Sequence, residues 1–88
     1  MKKEWIAELE GNKIRVTNAW FGGAKLYING DCRDTNTETS TRSDTPALSA
    51  RIQHGNLESP LIEVFMMARF TVKAKICLNG KQVAGDIF

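Results

Sequence analysis

Two stretches of this chain are near copies of each other. Ala24, Lys25, Leu26, Ile28, Asn29 and Gly30 recur as Ala74, Lys75, Ile76, Leu78, Asn79 and Gly80, a constant offset of 50 positions (74 − 24 and 80 − 30). The same offset sets Ile14 against Val64, Val16 against Met66 and Trp20 against Phe70. Each copy ends in Asn-Gly after a run of alternating apolar residues. That is the strongest short signal for a β-hairpin, because a type I′ turn needs two successive residues that accept positive φ. The repeat spans about 12–34 and 62–84, so two similar hairpin units are expected to make up most of one small domain over residues 1–88.

The apolar pattern has period two almost throughout. Trp5, Ala7 and Leu9 alternate with Glu4, Glu8 and Glu10, with Ile6 breaking the polar set. Successive side chains of a strand point to opposite faces, so this pattern predicts a half-buried strand. Gly11-Asn12 predicts a tight turn. Ile14 and Val16, then Ala24, Leu26 and Ile28, continue the inward row, separated by a reversal over Asn18–Gly23. Asp31 to Pro46 is rich in Thr, Asp and Ser; its first half predicts a solvent-facing edge strand and its second half a surface loop. Alternation resumes at Leu48, Ala50 and Ile52. From Ile62 to Leu78 every even position is apolar. One strand of that length would exceed about 50 Å, which is too long for so small a domain, so the chain must bend or reverse near Ala68–Lys73. Lys81 to Phe88, with Val83, Ile87 and Phe88, predicts a closing strand. No window has a sustained helical period. The fold expected is all-β: a small antiparallel β-sandwich, or a flattened barrel, of seven to eight strands.

Trp5, the run Leu9-Glu10-Gly11-Asn12-Lys13-Ile14-Arg15-Val16, and Gly23-Ala24-Lys25-Leu26-Tyr27-Ile28-Asn29-Gly30-Asp31 together resemble the strand–turn–strand signature of the Fas apoptotic inhibitory molecule family. The Asn79-Gly80-Lys81 turn is similar as well. The resemblance implies a non-catalytic antiparallel β-sandwich acting through contacts with other proteins, and it transfers no functional residue. The chain departs from that family's pattern in the Thr-rich segment, where the family has apolar strand residues.

Composition narrows the function classes. A hydrophobic fraction of 42% and a charged fraction of 25% are those of an ordinary globular protein. A net charge of +2 is too small to argue for nucleic acid by itself. No long apolar run follows Met1-Lys2-Lys3-Glu4-Trp5, so neither an export signal nor a membrane span is expected, and the expected location is the cytoplasm. Two cysteines, Cys32 and Cys77, cannot build a disulfide framework, and with one histidine they cannot complete a four-ligand zinc site.

Catalytic chemistry finds little to work with. A nucleophile needs a base beside it, and the one histidine, His54, sits in a His-Gly-Asn turn with no spacing that ties it to either cysteine. Cys77 falls on the outward row if Ile76 and Leu78 point inward, although cysteine also packs as a small hydrophobe under a covering layer. Asp34, Asn36 and Glu38 alternate, with Asp31 and Asp44 nearby, and begin like a calcium loop. The pattern fails where the loop needs glycine, because Thr39 follows Glu38. Charges on a solvated edge strand account for the same residues. No cofactor and no catalytic residue is expected.

Two surfaces remain. Trp20 and Phe21 are adjacent large apolar residues, as are Phe65, Met66 and Met67, and neighbours on a strand cannot all face one core. Trp20, Phe21, Phe65 and Met67 are therefore the expected interface residues of a binding or structural module, with a homodimer as its simplest form. The alternative is single-stranded nucleic acid bound on a basic stripe of Lys25, Tyr27, Arg69, Lys73 and Lys75, which requires the two copies to lie side by side.

Overall fold

The computed structural model describes residues 2–19, 23–37, 46–53, 55–68 and 72–86. Among the described residues eight strands follow one another: β1 (Lys2–Leu9), β2 (Asn12–Ala19), β3 (Gly23–Ile28), β4 (Asp31–Asn36), β5 (Leu48–Arg51), β6 (Leu61–Ala68), β7 (Val72–Leu78) and β8 (Lys81–Gly85). They form two four-stranded antiparallel meanders, β1-β2-β3-β4 and β5-β6-β7-β8. The all-β expectation holds, with eight strands in two sheets. The described residues contain no helix long and apolar enough to cross a membrane.

Period-two patterning builds the core directly. Ala7 faces Ile14, which faces Ile28, in the first sheet; Leu48 faces Val64, which faces Ile76, in the second. Ile14, Val16, Leu26, Ile28, Leu48, Ile62, Val64 and Ile76 are fully buried in a single cluster drawn from both sheets. Trp5, Ala7, Leu9, Ala50, Leu78 and Ala84 pack around its margin. Every described buried side-chain nitrogen and oxygen has a hydrogen-bond partner.

The hairpin turns show how the repeat is drawn in space. Asn29 and Gly30 have φ of 52° and 88°, and Asn79 and Gly80 have 49° and 87°, so both Asn-Gly pairs occupy the left-handed region that their residue types predict. Asn29 N–H donates to Lys13 O, and Asn29 Oδ1 accepts from Lys13 N–H; Asn79 makes the same two bonds with Leu61. Lys13 and Leu61 are 48 positions apart (61 − 13), whereas Asn29 and Asn79 are 50 apart (79 − 29). The offset is therefore 50 in β3 and β7 but 48 in β2 and β6. Ile14 corresponds to Ile62 and Val16 to Val64, rather than to Val64 and Met66. Registers agree, since Ile14 faces Ile28 and Ile62 faces Leu78. The second hairpin is longer by one cross-strand pair. Both offsets are even, so either alignment keeps every side chain on its proper face.

Two local expectations are corrected. The first turn is Glu10-Gly11, not Gly11-Asn12: Leu9 faces Asn12, and Glu10 takes a φ of 52°. Each unit also carries a β-bulge, with Arg33 the extra residue between the Leu26–Asp34 and Tyr27–Cys32 pairs, and Val83 the extra one between Ile76–Ala84 and Cys77–Gln82. Arg33 and Val83 are again 50 apart (83 − 33). The bulge turns Val83 outward, where it is 39% exposed, so Ala84 is the β8 residue that reaches the core. The reversals at 20–22 and 69–71, with Trp20, Phe21, Arg69 and Phe70, lie outside the described residues, as do Ile87 and Phe88.

Side chains tie the two sheets together at both corners. Asp86 Oδ2 accepts from Trp5 Nε1 at 3.2 Å and from Ala74 N–H at 3.1 Å, which fastens the end of β8 to β1. At the opposite corner Asn36 Nδ2 donates to Ala47 O, Asp34 Oδ2 accepts from Ser49 N–H, and the Arg33 guanidinium donates to the carbonyls of Arg51 and Ile52. Asn36 and Asp86 are equivalent under the 50-residue offset (86 − 36). In each unit a residue at the end of the bulged strand, Asn36 as the last of β4 and Asp86 as the first past β8, fastens the start of the other unit, at Ala47 and at Trp5.

Candidate contact surface

The packing of the two meanders decides which surface residues can act together. Their inner faces share one core, so their outer faces point away from each other. Lys25 and Tyr27 lie on the outer face of the first sheet, while Lys73 and Lys75 lie on the outer face of the second. The side-by-side arrangement that a continuous basic stripe requires is not formed. Tyr27 is also covered, since the Arg15 guanidinium stacks over its ring at 5.2 Å and itself pairs with Glu4. Arg69 lies outside the described residues.

On the second sheet, β6 alternates strictly. Ile62, Val64 and Met66 are buried inward, and Leu61, Glu63, Phe65 and Met67 are half-buried outward. Phe65 faces Lys75 and Met67 faces Lys73 across the β6–β7 ladder. The Lys75 ammonium sits 5.5 Å from the Phe65 ring centroid, within cation–π range. Lys73 is exposed. With Arg51 on β5, this face carries, among the described residues, three cations against the one carboxylate of Glu63. Phe65 and Met67 lie half-buried on this outward row. Trp20 and Phe21 are not among the described residues.

Cys77 sits between Glu63 and Gln82 in the ladder on this same outward row, yet only 4% of it is exposed. Burial pushes its thiol pKa up; the Lys75 charge pulls it down and Glu63 adds to the rise. A thiol held protonated in this way is a poor nucleophile at neutral pH. Cys32 is exposed on β4 opposite Tyr27, so the two cysteines belong to opposite outer faces and both are free thiols. His54, Glu38 and Asp44 fall outside the described residues. Asp34 and Asn36, two members of the candidate cation row, instead bond the backbone at the β4–β5 corner, and Asp34 Oδ1 also accepts from Thr35 N–H. Among the described residues no three His, Cys, Asp or Glu side chains converge where a metal ion could sit.

A second surface was not anticipated. Ile6, on the outward row of β1 between Glu4 and Glu8, is 51% exposed. Its break in the acidic alternation was visible, but parity alone does not separate a surface contact from a tolerated exposed side chain. Leu57, in the loop before β6, and Val83 are the other large apolar side chains that stand out from the described surface. No protein-family model, curated protein or solved structure matches this chain.

Proposed function

We propose that this protein is a non-enzymatic binding or structural module whose working surface is the outer face of the second sheet, and that it pairs with other protein chains, a second copy of itself among them. The observation that carries this reading is the position of Phe65 and Met67. Both are large apolar side chains on a strand whose opposite row already fills the core, and both lie beside Lys73 and Lys75 on the solvent side. Aromatic residues and methionine are enriched at the centres of protein interfaces, with polar residues around them. The resemblance to the Fas apoptotic inhibitory molecule family supports the same class of activity. A cytoplasmic location is part of the proposal.

Static light scattering over a concentration series tests it. The wild-type chain is expected to rise above the mass of one chain as concentration increases. Phe65→Glu and Met67→Glu are expected to return it to a monomer with an unchanged melting temperature. A wild-type chain that stays monomeric at millimolar concentration removes self-association from the proposal, and association unaffected by either substitution removes this face. Nucleic-acid binding is left with two separate cationic faces in place of one stripe; salt-dependent oligonucleotide binding abolished by Lys73→Glu with Lys75→Glu would restore it.

A further inference from the structure

We infer that the β1–β8 side of the sandwich is a strand-acceptor seam, where an extended segment of a partner polypeptide pairs with the open edge of β1. This site is separate from the β6–β7 face. The internal repeat shows why the edge is open. Ala7 faces Ile14 and Ala50 faces Ile62, so β1 and β5 are equivalent under an offset of 43 (50 − 7), and Glu4, Ile6 and Glu8 correspond to Ala47, Ser49 and Arg51. Leu9 and Asn12 close a two-residue turn, and Lys13 uses its own N–H and C=O on Asn29, so β1 bonds β2 through Trp5, Ala7 and Leu9. The N–H and C=O groups of Glu4, Ile6 and Glu8 therefore point away from β2, along the edge. At β5 the equivalent groups are met by side chains of the first unit. Asn36 Nδ2 donates to Ala47 O at 2.9 Å, Asp34 Oδ2 accepts from Ser49 N–H at 2.9 Å, and Arg33 Nη2 donates to Arg51 O at 2.8 Å. The second unit cannot do the same for β1. Val83 and Ala84 stand where the first unit has Arg33 and Asp34 (83 − 33 and 84 − 34), and neither side chain carries a donor or an acceptor. Asp86, the counterpart of Asn36, bonds the Trp5 indole and the Ala74 N–H. Among the described residues nothing bonds the edge groups of Glu4, Ile6 and Glu8.

The chemistry of this edge selects its occupant. Its free groups recur at every second residue, about 6.8 Å apart, with N–H and C=O side by side, and the main chain of another strand matches such a row. The margin beneath the row is apolar. Trp5, Ala7, Leu9 and Ala84 pack on the core yet stay partly exposed, whereas Leu48, the counterpart of Trp5 (48 − 5), is fully buried on the other side of the sandwich. Apolar side chains at alternate positions of an incoming strand complete the cover of that margin. Charge does not select, because Glu4 is paired with Arg15 and Glu8 lies opposite Lys13. The partner is thus an extended segment with apolar residues at every second position and no proline at the positions that pair. This is also the side that can part to admit it. Among the described residues β8 is fastened to β1 by the one bond from Trp5 to Asp86, while Arg33, Asp34 and Asn36 lace β4 to the β5 region by four. Local opening concentrates where such contacts are fewest.

Amide hydrogen exchange on the full chain, with and without a peptide probe, tests the seam. In the free protein the Ile6 and Glu8 amides are expected to exchange about tenfold faster or more than the Ser49 amide, which Asp34 holds. The probe is the peptide Lys-Thr-Val-Thr-Val-Thr-Lys, whose valines share one face. Its addition is expected to slow exchange at Ile6 and Glu8 by about tenfold or more, and the same peptide with proline for its central threonine is expected to leave both unchanged. Ile6→Pro removes an outward N–H and keeps the β1–β2 bonds, so this variant is expected to fold and to lose the peptide. Val83→Arg with Ala84→Asp carries the lacing of the other side onto this one and is expected to weaken binding about tenfold or more. The proposal is overturned if Ile6 and Glu8 are as protected as Ser49 in the free protein, if the peptide leaves β1 unchanged at millimolar concentration, or if folded Ile6→Pro binds it as wild type does. Protection of Ile6 that rises with protein concentration without peptide would overturn it too, by making a second copy the occupant.

Discussion

Among the described residues, Glu10 alone holds a positive φ without being glycine or asparagine. It holds a φ of 52° in the two-residue turn between β1 and β2, at the position that Asn29 and Asn79 occupy in the other two-residue turns. The left-handed region costs most L-residues about 1–2 kcal/mol, and asparagine tolerates it best after glycine. Glu10→Asn is therefore expected to stabilise the fold by about 0.5–1 kcal/mol and to raise the melting temperature by roughly 2–8 °C in thermal unfolding. The two thiols make a second pair of opposites. Cys32 should react with a thiol reagent in the native protein, and Cys77 only after denaturation, when a count of labelled thiols rises from one to two. Burial raises the Cys77 pKa in the folded chain, so the native state holds its proton more tightly than the unfolded chain does. The sign follows: that stabilisation is full below the unfolded thiol value of about 8.5 and is lost as pH rises toward the folded value. Melting temperature should fall more between pH 8 and pH 10.5 for wild type than for Cys77→Val.

Single strands were read well where alternation was clean and poorly where a backbone irregularity reset it. The row from Ile62 to Leu78 could be divided into β6 and β7 because no strand of that length fits the domain, and Leu48-Ala50 announced β5 despite its brevity. The bulges at Arg33 and Val83 left no such mark. A bulge inserts one residue without interrupting the apolar count in an obvious way, and Val83 is by composition an inward residue. The two-residue change in offset between β2 and β6 was hidden for a related reason, since a shift by two preserves facing and leaves the apolar pattern intact. The corner contacts depend on these irregularities. Gly85, at a φ of 97°, lies where any Cβ would strike the Ala74 carbonyl, and this close approach brings Asp86 onto Ala74 and Trp5. Asp86→Ala leaves two part-buried N–H groups without an acceptor and is expected to cost about 1–3 kcal/mol in chemical denaturation, with Asp86→Asn, which keeps an acceptor oxygen, losing less.

For the whole molecule, the sandwich was legible because burying one face of each meander leaves few choices besides stacking the two. The candidate site was only half legible. Phe65 and Met67 stood out because Met66 between them claims the core, but the stacking that puts Lys25 and Lys73 on opposite sides of the molecule depends on how the units meet, and a list of outward residues does not contain it. The central claim is that the β6–β7 face meets protein and not solvent alone. Backbone and methyl chemical shifts followed across a concentration series read that face most directly. Shifts that move together at Glu63, Phe65, Met67, Lys73 and Lys75 on concentrating the protein, while Ile28 and Ile76 in the core stay fixed, are the result expected. A spectrum that does not change with concentration at those five residues, or that changes only elsewhere, would contradict it.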